Sequence, residues 1–203
     1  MSISKYISRQ FSNPSGLGGK IVSFVINRHN TEMYEETARI LNIDKSDRVL
    51  DIGCGNGYML NFLAKRLSAT FDGVDISESI LNSAKKRNRK FVQNGTMSFS
   101  VGVADKMPFK DSTFDKICTL NTVYFWDDLN ATMQEIRRTM KPRGLFVNTL
   151  FTNEALSRFP HTKHGYRFFA EEQLIEAARD SGFDVSAVPI MNNAAYCIVC
   201  RLS

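Results

Sequence analysis

From residue 48 onward, short apolar runs alternate with longer stretches in which apolar residues recur every three or four positions. The short runs predict β-strands and the longer stretches predict α-helices. The predicted strands cover residues 48–52, 71–75, 97–103, 114–120, 145–150, 184–188 and 195–201. The predicted helices cover residues 21–41, 58–67, 127–140 and 170–181, and one more begins behind the predicted N-cap residue Ser77. This alternation is typical of an α/β fold in which helices cover both faces of a parallel sheet.

The last two predicted strands have no helix between them and flank Pro189 and the pair Asn192-Asn193, which favour a turn. We therefore predict a terminal hairpin, with the last strand antiparallel to the rest of the sheet. The helix over 127–140 is followed by Pro142 and Gly144, which are expected to end it before the fifth strand.

Composition narrows the class of protein. Of the 203 residues, 43% are hydrophobic and 23% are charged, which is close to globular averages and excludes a disordered chain or a disulfide scaffold. The 26 Lys and Arg residues exceed the 21 Asp and Glu residues, and one dense basic run occupies residues 85–90. We interpret that run as the solvated end of a helix, where cations offset the dipole, so a nucleic-acid partner is disfavoured.

The four cysteines do not form a recognisable metal or disulfide pattern. Cys197 and Cys200 lie three positions apart on a predicted strand, where their side chains face opposite sides and cannot share a metal or a bridge. We expect reduced, buried cysteines and no metal site. The chain has no run of 18 apolar residues and no signal-peptide core, so we expect a cytoplasmic protein without a membrane partner.

Three glycines, Gly53, Gly55 and Gly57, stand between the first predicted strand and the next helix. Glycines let a backbone turn sharply and let a ligand approach without meeting a Cβ atom. The helix N-terminus beyond them favours an anionic ligand group. Asp75 ends the second strand, 22 residues after Gly53, where a carboxylate can accept hydrogen bonds from the ribose hydroxyls of an adenosine-containing ligand.

The dinucleotide fingerprint G-x-G-x-x-G is incomplete in this loop. Counted from Gly53, its third glycine would fall on Tyr58. Because that glycine lets the helix pack closely on the strand, a nicotinamide or flavin dinucleotide is disfavoured.

Four ordered motifs resemble those of the class I methyltransferases that use S-adenosylmethionine (SAM). Residues 49–57 resemble the first motif, and residues 74–77 are similar to the second-strand motif. Residues 103–109, followed by 114–117, resemble the third motif and the next strand, and residues 140–145 are similar to the turn before the fifth strand.

This resemblance, which covers residues 47–150, implies a three-layer Rossmann-like sandwich. Its seven-stranded sheet would have the order 3-2-1-4-5-7-6, with strand 7 antiparallel. Residues 1–203 would form one methyltransferase domain, with 47–203 as the core and 1–41 as an N-terminal cap segment, of which residues 11–30 would fold over the cofactor. In size the chain matches the small stand-alone members that act on metabolites, so the implied partner is a small-molecule substrate.

By the same resemblance, nine residues would contact SAM: Asp51, Gly53, Gly55 and Gly57 at the methionine part, Asp75 at the ribose, Ile76, Ala104 and Asp105 at the adenine, and Asn121 beside cofactor and substrate. A simpler alternative exists for three of them. Asp105 would then cap a turn, Asn121 would be a turn amide, and Ile76 would be apolar because its strand is buried.

The implied reaction is an in-line displacement in which a nucleophile takes the methyl group from the SAM sulfonium and leaves S-adenosylhomocysteine (SAH). Orientation can supply about 7–11 kcal/mol of such a barrier, so no dedicated catalytic residue is required. The candidate bases are His161 and His164, with Tyr124 as a third candidate. Both histidines lie in a long connection at 153–169, which is either a lid over the substrate or a solvated loop.

The segment at 121–126 stands where N-methylating relatives carry an Asn/Asp-Pro-Pro-aromatic motif. Thr122 and Val123 replace the two prolines, which argues against a nucleobase or a glutamine amide as the acceptor. Tyr124, Phe125 and Trp126 either wall a pocket for an apolar or aromatic acceptor, or two of the three face the core.

Three other functions fit parts of the pattern. An RNA or protein methyltransferase would use the basic run at 85–90. A catalytically inert SAM-binding protein would keep the pocket alone, and a dehydrogenase would need the dinucleotide site that Tyr58 disfavours.

Overall fold

A single seven-stranded sheet forms the centre of the described structure. The computed structural model describes residues 30–159, 162 and 165–202. The strands are β1 (Arg48–Ile52), β2 (Thr70–Asp75), β3 (Met97–Val101), β4 (Phe114–Leu120), β5 (Met140–Phe151), β6 (Asp184–Ile190) and β7 (Ala195–Arg201). Their order is β3-β2-β1-β4-β5-β7-β6, and β7 runs antiparallel to both of its neighbours. The predicted sheet order and the terminal hairpin are therefore confirmed.

Helices cover both faces of this sheet, which confirms the three-layer sandwich. They are α1 (Thr31–Leu41), α2 (Tyr58–Ala64), α3 (Glu78–Arg87), α4 (Arg89–Gln93), α5 (Leu129–Thr139), α6 (Asn153–Ser157) and α7 (Glu171–Asp180). Apolar residues of α1, α2 and α3 pack on one face of the sheet, and those of α5 and α7 pack on the other. None of the helices in the described ranges is both long and apolar enough to cross a membrane.

The strands alternate between the two faces with a period of two residues. In β1, Leu50 and Ile52 join one core cluster while Val49 joins the other. The same alternation separates Cys197 from Cys200, which lie in opposite clusters as free, buried thiols. The expectation of reduced, buried cysteines is thereby confirmed for these two.

Several predicted boundaries shift in the structure. The predicted helix over 21–41 corresponds to Thr31–Leu41, and its first part lies outside the described residues. Helix α2 ends at Ala64 rather than at residue 67, and β3 ends at Val101 rather than at residue 103.

The fifth strand also differs from its prediction. It begins at Met140, immediately after α5, and includes Pro142 and Gly144. Its pairing with β4 shifts register between Phe114 and Lys116, because the stretch from Met140 to Leu145 bulges out of the ladder. Pro142 and Gly144 therefore mark a bulge inside a strand and not only the end of a helix.

Helix α1, the described part of the predicted cap segment, is part of the packed core. Met33 and Leu41 are completely buried, and the Thr37 hydroxyl lies 2.7 Å from the Thr149 hydroxyl of β5. Both apolar packing and this polar contact therefore tie α1 to β5.

Candidate active site

The glycine loop after β1 is fixed to the neighbouring strand by its backbone. The N–H groups of Gly53 and Cys54 both donate to the carbonyl of Val74, at 2.8 and 3.0 Å. Gly53 has a φ of 69°, and a Cβ at this position would overlap the side chain of Thr122. At Gly55 the nearest atom to such a Cβ is 3.8 Å away on Ile80, so the space beside this glycine is open.

Gly57 packs closely against the elements that surround it. A Cβ there would lie 2.7 Å from the Asn88 amide nitrogen and 3.0 Å from Ala84. Asn88, only 1% exposed, donates to the Gly57 carbonyl at 3.0 Å and accepts from the Asn61 amide at 2.9 Å. This buried amide ties the loop to the junction of α3 and α4.

Asp75 lies at the carboxyl end of β2, beside that loop. Its Oδ2 accepts from the Gly55 N–H at 2.9 Å, and its Oδ1 accepts from the Ser77 N–H at 2.9 Å. Burial raises the carboxyl pKa, and these backbone donors act in the opposite direction. A carboxylate has about four acceptor positions, so both oxygens retain capacity for two ligand hydroxyls.

Ser77 stands at the N-cap position of α3, as predicted, but its side chain makes no capping bond. Its hydroxyl instead lies 3.0 Å from the hydroxyl of Ser79. The predicted capping role of the Ser77 side chain is therefore wrong, because its hydroxyl pairs with the Ser79 hydroxyl instead of with a backbone N–H of the helix.

Asp51 occupies β1 just below the loop and is 3% exposed. Burial, together with the negative charge of Asp75, raises its pKa to about 8. The Cys118 thiol donates to Asp51 Oδ1 at 3.9 Å, a weak bond that does little to offset burial. The carboxyl groups of Asp51 and Asp75 thus both lie at the carboxyl edge of the sheet. A cationic ligand group bound there would favour their ionised forms.

Apolar side chains flank this polar centre at the ends of β2 and β3. Ile76 is 70% exposed, and Val101 and Val103 are also exposed. The interpretation of Ile76 as a residue of a buried strand is therefore wrong, because Ile76 follows the last residue of β2. Ala104 and Asp105 form the tip of a turn closed by a bridge between Val103 and Lys106, and Asp105 is exposed.

Asn121 links three elements at the end of β4. It adopts a φ of 57°, and its Oδ1 accepts from the Tyr124 hydroxyl at 3.2 Å and the Phe151 N–H at 3.4 Å. Its amide nitrogen donates to Asn30 Oδ1 at 3.4 Å. Asn121 thus connects the start of α1 with the ends of β4 and β5, and its contact with cofactor or substrate stays a prediction.

Two of the three aromatic residues at 124–126 face the core. Tyr124 and Trp126 are buried, whereas Phe125 is 37% exposed. Phe125 packs edge-to-face on Tyr166, with ring centroids 4.8 Å apart. The second of the two alternatives is therefore confirmed, and the exposed member, Phe125, contacts Tyr166 from the far end of the connection before α7.

Arg167 binds the connection before α7 to the residues that follow β4. Its N–H donates to the Tyr124 carbonyl at 3.0 Å, and its guanidinium donates to the Trp126 carbonyl and to Asp127 Oδ1, the latter at 2.7 Å. The exposed Phe168 follows directly. These contacts place the aromatic side chains of Phe125, Tyr166 and Phe168 beside the carboxyl end of β4.

The candidate bases differ in what the structure describes. His161 and His164 lie outside the described residues. Tyr124 accepts from the Phe151 N–H at 2.9 Å, and burial raises the pKa of its hydroxyl far above the ordinary range. Those contacts hold the end of β5 in place. Because its hydroxyl stays protonated, Tyr124 is poorly suited to act as a base.

Comparisons with known proteins find similarity to methyltransferases. A family model described as "Methyltransferase domain" matches residues 49–144. Over 181 residues the chain is 26% identical to the uncharacterized methyltransferase YdaC of Bacillus subtilis (strain 168), covering 89% of this chain and 95% of that protein. The motifs, the strand order and this match agree with one another.

Residues 49–144 form a methyltransferase domain, and the fold is that of the class I SAM-dependent methyltransferases.

Two further similarities show how much of its relatives the chain covers and which fold it shares with them. A fatty-acid O-methyltransferase of Mycolicibacterium smegmatis is 27% identical, but the match covers 61% of this chain and 44% of that protein. The chain spans about two fifths of the length of the first curated relatives that it matches. A Haloferax volcanii methyltransferase, solved in complex with the Trm112 activator, shares the fold with a TM-score of 0.79 at 21% identity, covering 98% of this chain and 99% of that one.

The structure gathers most of the residues predicted for this methyltransferase at one sheet edge. Two residues that the sequence analysis missed support them, Asn88 beneath Gly57 and Thr122 against Gly53. Asn88 is the uncharged position of the basic run at 85–90, which is the signal that could have identified it. Thr122 carries no local signal, because its contact depends on two strands meeting.

Proposed function

We propose that the protein binds SAM along the carboxyl edge of β1, β2 and β3 and transfers its methyl group to a small-molecule acceptor. The observation that carries the proposal is Asp75. Its carboxylate is oriented by the N–H groups of Gly55 and Ser77, retains two acceptor positions, and borders the exposed apolar surface of Ile76 and Val101. A ribose with an attached adenine matches this combination of acceptor and apolar wall.

Each part of the ligand then has its own contacts. Asp75 accepts from the ribose hydroxyls, and Ile76 covers one face of the adenine. Asp105, at the tip of its turn, accepts from the adenine amino group, with Ala104 contributing backbone. The open side of Gly55 receives the methionine part, and Asp51 beneath the loop provides negative charge for its ammonium group.

When bound, SAM supplies a methyl group already activated by the sulfonium. The chain therefore needs to orient the acceptor in line and to exclude water, which can lower the barrier by about 7–11 kcal/mol. Gly53 and Gly55 determine how closely SAM, the methyl donor, approaches the loop backbone. His161 and His164 are proposed as bases for acceptors that must lose a proton.

An apolar or aromatic small molecule is the proposed acceptor. The exposed side chains of Phe125 and Phe168, together with Tyr166, offer a surface of that character beside the end of β4. The similarity to a protein named as a fatty-acid O-methyltransferase is in keeping with this choice.

Cofactor binding is tested by thermal unfolding with SAH and, separately, with NAD. We expect stabilisation by SAH, by about 2.7 kcal/mol at a hundredfold excess over the dissociation constant, and none by NAD. Stabilisation by NAD alone would instead favour a dehydrogenase.

The reaction is tested by incubating the protein with methyl-labelled SAM and fractionated metabolites. Label should appear in a small, apolar product. Label in RNA or protein would overturn the proposed acceptor class, and tight SAH binding without any labelled product would favour an inert SAM-binding protein. Unchanged turnover after replacing His161 and His164 by Ala would remove both from the chemistry.

A further inference from the structure

The turn that carries Asp105 has few contacts of its own. It is closed by the Lys106 N–H, which donates to the Val103 carbonyl at 3.1 Å. Asp105 itself is exposed, and its neighbour Ala104 is half-buried. The turn is held from two sides: before it, the Gly102 N–H donates to the Asp75 carbonyl at 3.1 Å, and after it, the segment that follows sets its position.

Helix α5 holds that following segment through its backbone. The Met107 N–H donates to Glu135 Oε1 at 2.6 Å, across 28 residues of sequence. Arg138 donates through Nη2 to the Phe109 carbonyl at 2.9 Å. The same guanidinium donates through Nη1 to Asp111 Oδ1 at 2.6 Å.

Glu135 and Arg138 also bind each other. Arg138 Nε donates to Glu135 Oε2 at 2.7 Å, and Nη2 donates to Oε1 at 2.8 Å. The Glu135 side chain is only 11% exposed, and its hydrogen bonds, with those of Asp111, raise the pKa of Arg138. The pair is thus a rigid, planar fork with one carboxylate oxygen committed to the Met107 N–H, two residues beyond Asp105.

We propose that Glu135 and Arg138 are positioning residues for base recognition: they hold the 104–105 turn at the height at which Asp105 meets the adenine amino group. This inference rests on the proposed function. It predicts that selectivity for adenine depends on an ion pair that never touches the cofactor.

A second ion pair provides a matched control. Lys141 and Asp115 pair at 2.7 Å with similar exposure, at the junction of α5 with β5. Asp115 also accepts from the Arg48 N–H at 2.9 Å, at the start of β1. This pair therefore lies near the same end of α5, but it joins β5 to the starts of β1 and β4 rather than holding the segment from Met107 to Asp111.

The experiment measures the affinity of the full chain for SAH and for its 6-oxo counterpart, S-inosylhomocysteine, by calorimetry. The oxo group accepts a hydrogen bond where the amino group donates one, so the ratio of the two affinities reports the Asp105 contact. Arg138→Met should lower SAH affinity about tenfold, the scale of one charge-assisted hydrogen bond, and leave the affinity for the 6-oxo compound nearly unchanged. Lys141→Met should leave the ratio as in the parent protein.

Two further variants separate positioning from a general loss of structure. Asp105→Ala should abolish the selectivity, and adding Arg138→Met to it should cause no further loss. Arg138→Lys, which keeps the charge without the fork, should retain part of the selectivity.

An unchanged ratio in Arg138→Met, or independent losses in the double variant, would overturn the positioning role. Should Arg138→Met fail to fold, Glu135→Gln tests the same step through the Met107 contact. Absence of SAH binding by the parent protein would instead contradict the proposed function.

Discussion

The two halves of the candidate site are built in different ways. On the cofactor side, the ends of β1 and β2 are joined by backbone N–H donors: Gly53 donates to the Val74 carbonyl, and Gly55 donates to the Asp75 carboxylate. On the acceptor side, the β4 exit is joined by the guanidinium of Arg167, 40 residues after Asp127. The first arrangement uses a short sequence and the main chain, and the second uses side chains from distant segments.

This difference has a physical consequence. Backbone bonds and left-handed glycines tolerate few substitutions, because most side chains would clash or strain the loop. An aromatic surface held by one arginine tolerates many side chains of similar volume. We therefore expect large losses from changes on the cofactor side and smaller, acceptor-dependent losses on the other.

The largest expected effect concerns Gly57. Gly57→Ala combines strain at a φ of 69° with overlap against Asn88 and Ala84, and should lower the free energy of unfolding by about 3 kcal/mol. Urea denaturation measures it. Gly95→Ala is the control, because Gly95 has a φ of 76° with nothing within 4 Å, and strain alone should cost about 1 kcal/mol. Equal losses would show that packing at Gly57 is unimportant.

The second prediction concerns Asp75. Asp75→Ala removes the acceptor for the ribose and for two backbone donors, and should weaken SAH binding about 100-fold in calorimetry. Asp184→Asn, an exposed acid at the start of β6, should leave the affinity unchanged. A loss below threefold would place the ribose elsewhere.

The third prediction concerns the buried carboxyl of Asp51. Its folded pKa of about 8 lies above the value in an unfolded chain, so the native state holds this proton more tightly. The stability it contributes is complete at low pH and is lost as pH rises toward 8, by about 2 kcal/mol between pH 6 and 8. In Asp51→Asn this slope of the unfolding free energy should flatten. A parallel slope in both proteins would assign the titration to another group.

The smallest effect is expected at Arg167. Arg167→Met should lower the unfolding free energy by about 1 kcal/mol and increase acrylamide quenching of Trp126, the single tryptophan. SAH affinity should not change. Arg158→Met is the control, since Arg158 pairs with Glu154 in an exposed position of the same connection. Weaker SAH binding in Arg167→Met would mean that the two halves of the site are coupled.

Much of the cofactor side was predictable because its signals are local. The glycine loop and the acid at the end of the second strand depend on spacings within a few tens of residues, as does the hairpin at the other edge of the sheet. Even there, the close packing of Gly57 on Asn88 was not predictable, because sequence does not show which side of a glycine is occupied.

The sequence by itself determined the order of strands and helices, the family, and the residues that meet at the ends of β1 and β2. Periodicity and turn residues act over short distances, so they survive in a one-dimensional pattern. Only the tertiary structure decided that Tyr124 and Trp126 turn inward, that Ile76 is exposed, and that Glu135 reaches Met107. Those outcomes depend on which distant surfaces pack together, and burial is a property of the whole chain.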